Sequence, residues 1–294
     1  MAAKPLFFIV DVFGERKYAG NQLAVFPDGT GFSDQEMQQI AGEINFSETT
    51  FILSETPDTG GYDVRIFTPR HEVDFAGHPT LGTAFIIREH IIKQPVDQIV
   101  LNLRVGRIPV MFPRSDKAIL WMNQQAPGFG QTIDAAVIAP VLGLAESDIE
   151  TRWPVEEVST GLPFIVVPLK NMDALKRITV DKAMCLEFVE TTWAKGILVF
   201  SPGGYAPDQD VGVRVFVDYY GIPEDPATGS GNGCLAAYLV KHQCLGRDDI
   251  DIRVGQGYGI NRPSMLYLRA GRKGDGIDVA VGGRVIPVAR GHWG

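Results

Sequence analysis

Val64-Arg65-Ile66-Phe67 leads through a loop into Gly77-His78-Pro79-Thr80-Leu81-Gly82-Thr83-Ala84-Phe85-Ile86-Ile87. The same arrangement returns as Val213-Arg214-Val215-Phe216, a loop, and Gly229-Ser230-Gly231-Asn232-Gly233-Cys234-Leu235-Ala236-Ala237-Tyr238-Leu239. The two segments are displaced by 149 and 152 residues, about half of the 294-residue chain, and differ by three residues of loop. Each half therefore reads as strand, loop, small-residue turn and apolar helix, the signature of a duplicated unit. The helices have almost no polar face before Arg88 and Lys241. A helix that is apolar all round is a buried helix. The expected fold is α/β (α+β): two similar halves, each with one central helix wrapped by strands.

β-type runs surround these segments. Strands are expected at 6–13, 23–26, 49–53, 64–68, 99–103 and 119–122, and at 164–169, 197–200, 211–217, 250–254, 265–268, 277–281 and 285–288. Ser33-Asp34-Gln35-Glu36 is a capping box. Met37, Ile40, Ala41 and Ile44 behind it have the spacing of an amphipathic helix. Further helices are expected at 134–142, 172–177 and 182–190. Gln124-Gln125-Ala126-Pro127-Gly128-Phe129-Gly130 reads as the linker. The two halves are expected to divide at this linker, near residue 125.

Composition bounds the function. Hydrophobic residues make up 45%, charged residues 21%, and the net charge is −8. This is a globular balance, and a poor one for nucleic-acid backbones. Thirty-three glycines without a short repeat fit many tight turns. Three cysteines (Cys185, Cys234, Cys244) form no CxxC motif and no even framework, which fits a reducing compartment. The N-terminal apolar run is cut by Asp11 and reads as no signal peptide. Residues 135–145 are too short to span a bilayer. The sequon Asn45-Phe46-Ser47 is read as chance. A cytoplasmic protein without membrane or nucleic-acid partners is expected.

The chemistry is expected at the two helix starts. A buried helix start leaves N–H groups that need partners, and its dipole favours an anion. Glycines there either permit close packing or let a small carboxylate approach the backbone, and two such starts could clamp it across a domain cleft. His78 sits at the first start, with Pro79 in an N1-type position. Ser230 sits at the second, just after Glu224-Asp225-Pro226. Each has a plain reading: core histidine, N-cap, loop acid. Glu48 opens an otherwise apolar strand, as a rim residue or as a buried general base.

Asn45-Phe46-Ser47-Glu48-Thr49-Thr50-Phe51, Asp74-Phe75-Ala76-Gly77-His78-Pro79-Thr80-Leu81-Gly82 and Glu224-Asp225-Pro226-Ala227-Thr228-Gly229-Ser230 together resemble the PhzF-like (phenazine biosynthesis) isomerase family. Asn21 within Gly20–Phe26, residues 159–164 and Arg262-Pro263-Ser264 support the likeness, which runs from about residue 6 to residue 283. The resemblance implies a diaminopimelate-epimerase-like fold of two pseudo-symmetric halves, each a curled, mostly antiparallel sheet around a central helix, with domains 1–125 plus about 284–294, the last strand returning to the first half, and 126–283. It also implies a homodimer and a cofactor-independent isomerase acting on a small carboxylate in the cleft between halves. It further implies Glu48 as the main acid/base, with His78, Asp225 and Ser230 supporting proton transfer. Asn21 and the backbone at Gly77, Gly229 and Gly231 would hold substrate. Gln22, Gly82, Gly231-Asn232 and Gly259-Ile260-Asn261 depart from the family pattern, so the likeness names no particular substrate.

Several rivals are weaker. A two-thiol racemase or epimerase needs cysteines where Ala76 and Thr228 stand. A metallohydrolase reading of His71-Glu72 fails because position 75 is Phe75, and no other metal-ligand spacing occurs. Gly255-Gln256-Gly257-Tyr258-Gly259 is not a dinucleotide fingerprint and reads as a turn. A catalytically inactive metabolite- or protein-binding family member is the remaining alternative.

Overall fold

The computed structural model describes residues 4–54, 60–114 and 118–294. The remaining positions, within the segments assigned above to the N-terminal run and the first half, lie outside the described residues. The chain forms two compact units, 1–123 with 282–294, and 124–281.

The first unit contains β1 (Leu6–Val12), β2 (Asn21–Phe26), α1 (Asp34–Ile44), β3 (Glu48–Ile52), β4 (Tyr62–Phe67), β5 (Glu72–Val73), α2 (Gly77–Ile86), β6 (Gln98–Leu103), β7 (Gly106–Met111) and β8 (Leu120–Asn123). It also takes the last strand of the chain, β18 (Val285–His292). The second contains β9 (Gly128–Ile133), α3 (Ala135–Val141), β10 (Val155–Ser159), β11 (Pro163–Pro168), α4 (Met172–Arg177), α5 (Lys182–Glu190), β12 (Gly196–Pro202), β13 (Val211–Val217), β14 (Ile222–Asp225), α6 (Gly229–Lys241), β15 (Asp249–Gln256) and β16 (Ser264–Lys273). β17 (Gly276–Gly283) closes it and runs into the first unit again.

The pairings repeat strand for strand. In the first unit β18–β1 and β1–β2 are antiparallel, β2–β3 parallel, β3–β4 and β4–β5 antiparallel, β4–β6 parallel and β6–β7 antiparallel. In the second, β9–β10, β10–β11, β11–β12, β12–β13, β13–β14, β13–β15 and β15–β16 follow in the same order and senses. The Val-Arg-Ile-Phe and Val-Arg-Val-Phe segments occupy equivalent places on β4 and β13. The three extra residues of the second copy lie between Arg214 and Glu224, which encloses the 3-10 turn Asp218–Tyr220.

Each unit is layered from the inside out. α2 packs against β1, β2, β3, β6, β7, β8 and β18, and α6 against β10, β11, β12, β15 and β16. Every residue of α6 from Gly229 to Val240 is buried, and α2 is buried except at Phe85. Outside the sheet, α1 covers Phe26, Phe51 and Phe67. α3, α4 and α5 cover the outward apolar residues of β10–β13, among them Ile165, Val167, Ile197 and Val199. The expected amphipathic helix is α1, with its capping box formed by Ser33 and Glu36. Among the described residues no helix is long and apolar enough to cross a membrane.

Some local expectations change. The stretch taken as linker already belongs to β9 from Gly128, because Phe129 and its neighbours pair with β10. β5, β7, β9, β10 and β14 were not foreseen. Pro79 is the third residue of α2, not the first: Ala76 is the N-cap and Gly77 the first helical residue. Proline is still tolerated there, since the first four N–H groups have no intrahelical acceptor.

Two glycines in helices respond to opposite pressures. A Cβ at Gly82 in α2 would stand 2.5 Å from Leu23 Cδ2 and 2.9 Å from Val12 Cγ2, so the helix lies against β1 and β2 only because no side chain intervenes. At Gly42, exposed on α1, the nearest atom would be the Pro69 carbonyl oxygen at 3.5 Å. Gly82→Ala should lower stability by about 1–3 kcal/mol through overpacking. Gly42→Ala should raise it by about 0.5–1 kcal/mol through helix propensity. Urea midpoints of the two variants check both; a stabilised Gly82→Ala would contradict the close helix–sheet contact.

Candidate active site

In the first unit, α1 ends at Asn45, whose left-handed backbone (φ 55°) turns the chain and whose N–H bonds the Ala41 carbonyl. The strand β3 then begins at Glu48, paired in parallel with Leu23. Asn21, buried, opens β2 two residues before Leu23. The start of α2 brings His78 to Glu48: Nε2 lies 3.3 Å from Oε2, with side chains 6% and 16% exposed. Removal from water pushes the imidazole down to about 3. A hydrogen bond with the Gln22 backbone pulls the other way, so it is made to the carbonyl. His78 is therefore neutral at ordinary pH. Its ring hydrogen is committed to Gln22, and Nε2 faces the Glu48 carboxyl.

In the second unit, Asp225 ends β14, and Ser230 is the second residue of α6, the place His78 holds in α2. Both Asp225 and Ser230 are buried. Thr228 is the N-cap, a residue type that normally caps with its hydroxyl, yet no side-chain cap is formed. Its hydroxyl instead donates to Asp225 Oδ2 at 2.5 Å and accepts from Gln256 Nε2 at 3.0 Å. The N-cap of α2, Ala76, has no side chain that could cap. Neither helix start is capped by its own N-cap side chain, which leaves both open to an anion.

Gln256, wholly buried at the end of β15, holds this turn together. Its Nε2 donates to the Asp225 carbonyl at 2.7 Å, and its Oε1 accepts from the Thr228 N–H at 3.2 Å and Asn232 Nδ2 at 2.8 Å. Sequence reading placed Gln256 in a glycine-rich turn and assigned it nothing. The signal was a long polar side chain ending a strand whose inward residues are apolar.

The structure thus brings Glu48 to His78, and Asp225 and Ser230 to one turn. Gly77, Gly229 and Gly231 lie in the first turns of α2 and α6. Strand equivalence shows how the copies differ. Glu48 corresponds to Gly196, since Thr49 pairs with Phe67 and Ile197 with Phe216. Asp225 corresponds to Val73, which pairs with Ile66 as Asp225 pairs with Val215. A Cβ at Gly196 would lie 2.6 Å from the Phe164 ring, so no second acid fits at that place. Cys234, which burial pushes up to about 12, is an inert core thiol. Glu72, once considered beside His71 as a metal motif, is engaged by Arg65 and Arg104. Among the described residues no cluster of three His, Cys, Asp or Glu side chains could hold a metal ion.

Comparison with known proteins adds the following. The family described as phenazine biosynthesis-like protein (PhzC-PhzF) matches residues 10–291. The trans-2,3-dihydro-3-hydroxyanthranilate isomerase of Pseudomonas aeruginosa is 33% identical over 289 residues, covering 97% of this chain and 98% of that protein. The crystal structure of a Bacillus anthracis PhzF-family phenazine biosynthesis protein superposes with a TM-score of 0.89 at 24% identity, covering 99% of each chain. A hydroxyproline epimerase of Agrobacterium vitis shares the fold at a TM-score of 0.61 and 10% identity, over 98% of this chain and 90% of that one.

The buried imidazole has a consequence for acid stability. The unfolded chain takes up the His78 proton near pH 6.5, whereas the folded chain does so only near 3. Stability is therefore lost as pH falls between these values, by about 2 kcal/mol from pH 7 to pH 5. His78→Gln should lose about 2 kcal/mol less over the same interval. Urea titrations at the two pH values test this, and equal losses in both proteins would remove His78 as the source.

Proposed function

Because the chain belongs to the phenazine biosynthesis-like (PhzC-PhzF) family and is an isomerase of it, we propose that it moves a proton between two carbons of a small carboxylate substrate, with Glu48 as the carrier. The observation that supports this most is the Glu48–His78 contact at a helix start without a side-chain cap. A carboxylate takes a proton from an activated C–H: that C–H bond breaks and a carboxyl O–H forms. The double bond shifts, and the carboxyl group, which can exchange its proton with solvent, delivers a proton to another carbon. Nothing is oxidised or reduced. Positioned acid/base groups of this kind contribute about 10²–10⁴-fold.

The neighbours serve that cycle. His78 is neutral, so it can accept a hydrogen bond from protonated Glu48 without placing a positive charge that would hold the carboxylate ionised. The N–H groups at Gly77, Gly229 and Gly231 are suited to a substrate carboxylate and to charge that develops during the shift. By the family motifs they match, Asn21 in the first unit and Ser230 and Asp225 in the second are assigned to substrate contact and to support of proton transfer; Thr228 and Gln256 orient Asp225 within its own unit. The single acid at the Glu48 place, with glycine at its counterpart, favours one proton carrier over a two-base epimerase. The substrate class we propose is trans-2,3-dihydro-3-hydroxyanthranilate or a related small carboxylate. Gly231-Asn232, next to Ser230, is where a different side group would be read.

The test is solvent deuterium exchange. The protein is incubated in D₂O with trans-2,3-dihydro-3-hydroxyanthranilate and a panel of small unsaturated carboxylates, and label and double-bond position are read by mass spectrometry and NMR. Glu48→Gln should cut uptake by at least about 100-fold with ligand affinity within about threefold. Undiminished exchange in Glu48→Gln would exclude it as the carrier. Binding without exchange in the unaltered protein would favour a non-catalytic binding member of the family.

A further inference from the structure

The two units have kept one charged device while changing the chemistry around it. Glu48, Val73 and His78 in the first unit answer to Gly196, Asp225 and Ser230 in the second. At the equivalent arginines the bidentate pair with a glutamate is the same. Arg65 Nε and Nη2 donate to Glu72 Oε1 and Oε2 at 2.8 and 2.7 Å. Arg214 Nε and Nη2 donate to Glu224 Oε1 and Oε2 at 3.1 and 2.7 Å. Each guanidinium also lies 5.0 Å from the ring two residues on, Phe67 or Phe216. Side chains of the second pair are 12% and 8% exposed, those of the first 17% and 12%.

Such a pair is a poor way to gain stability alone, because desolvation offsets most of its attraction. Its distinctive property is geometric: a planar fork fixes both distance and orientation of the carboxylate. In both units that carboxylate belongs to the residue five places before the first helical glycine, Gly77 or Gly229. In the second unit the next residue is Asp225. The arginines are themselves anchored. Arg214 Nη1 donates to the Leu175 and Ile178 carbonyls at 3.3 and 2.9 Å, at the end of α4. Arg65 Nη1 reaches Asp34 Oδ1 at the start of α1. The glutamate is therefore held, through its arginine, from the strand and from the outer helix at once.

We infer that Arg214 and Arg65 are positioning residues: each grips the glutamate ahead of a helix start through a bidentate ion pair, and so sets Asp225 with the first turn of α6, and His78 with the first turn of α2. The catalytic consequence rests on the proposed function, whereas the geometric one does not.

Arg214→Lys and Arg214→Met are compared with the unaltered protein, with Arg269→Ala as control, since Arg269 pairs with Asp251 at the exposed surface. Amide hydrogen exchange is followed at Thr228, held by Gln256, and Asn232, held by the Thr228 carbonyl. Both Arg214 variants should exchange at least about tenfold faster at these two amides, with residues 236–241 of α6 unchanged; lysine should not rescue, because it keeps the charge and lacks the fork. Unchanged exchange at Thr228 and Asn232, full rescue by lysine, or acceleration spread evenly over α6 would each overturn the inference. If Arg214→Met does not fold, Glu224→Gln carries the same measurement. In the deuterium assay, kcat should fall about tenfold or more in Arg214→Lys with KM within about threefold. Failure of the unaltered protein to exchange any substrate would count against the proposed function alone, and the amide readout would still decide on Arg214.

Discussion

A helix surrounded by sheet on every side can come close only where it carries small side chains, and its ends must be served by something other than water. Both conditions shape this protein. Gly82 removes the side chain that would hold α2 off β1 and β2. Small residues fill the first turn of α6 in the same way, and Ala76 and Thr228 leave the N–H groups without a capping oxygen from the N-cap. The packing requirement and the open helix start are therefore one feature.

The strand–helix repeat was legible because burial leaves a plain mark in sequence: two helices with no polar face, each preceded by the same β segment. The family likeness was legible because its motifs sit at those helix starts and at the entrance to β3. β10 was not legible. Val155-Glu156-Glu157-Val158 carries adjacent acids, which argues against a central strand, yet both are buried. Glu156 is met by Lys241 and His242 at 2.6 and 2.8 Å, and Glu157 accepts from the Ala194 N–H at 3.0 Å. Those partners lie dozens of residues away, beyond any local pattern. β9 was hidden by its glycines, and β7 by Pro109 within it.

The candidate residues were legible one by one, and their contacts were not. Glu48 stood out as a lone carboxylate opening an apolar strand, and His78 as a polar residue in an apolar helix. That they meet follows only from the parallel pairing of β2 with β3 and the seating of α2. The supporting groups were invisible for a related reason. Gln256, Thr228, Arg214 and Glu224 have unremarkable neighbours in sequence, and their meaning lies in hydrogen bonds between segments 10 to 39 residues apart. The candidate residues advertise themselves by being out of place in sequence, whereas the groups that hold them look like ordinary surface.

The pairing of β18 with β1, over Leu6↔His292 to Val12↔Val285, places the close of the first unit after the whole of the second in the chain. The Trp293 N–H bonds the Pro5 carbonyl at 2.8 Å, and its indole stands edge-on to Phe7 and Phe26. On the ribosome, the contiguous second unit has all of its strands before β18 emerges. The first unit, although made earlier, must wait with one flank of β1 unpaired and part of its aromatic cluster uncovered. The later-synthesised unit is thus free to finish first, and the exposed edge of β1 is the surface a nascent chain must keep from other chains until β18 emerges.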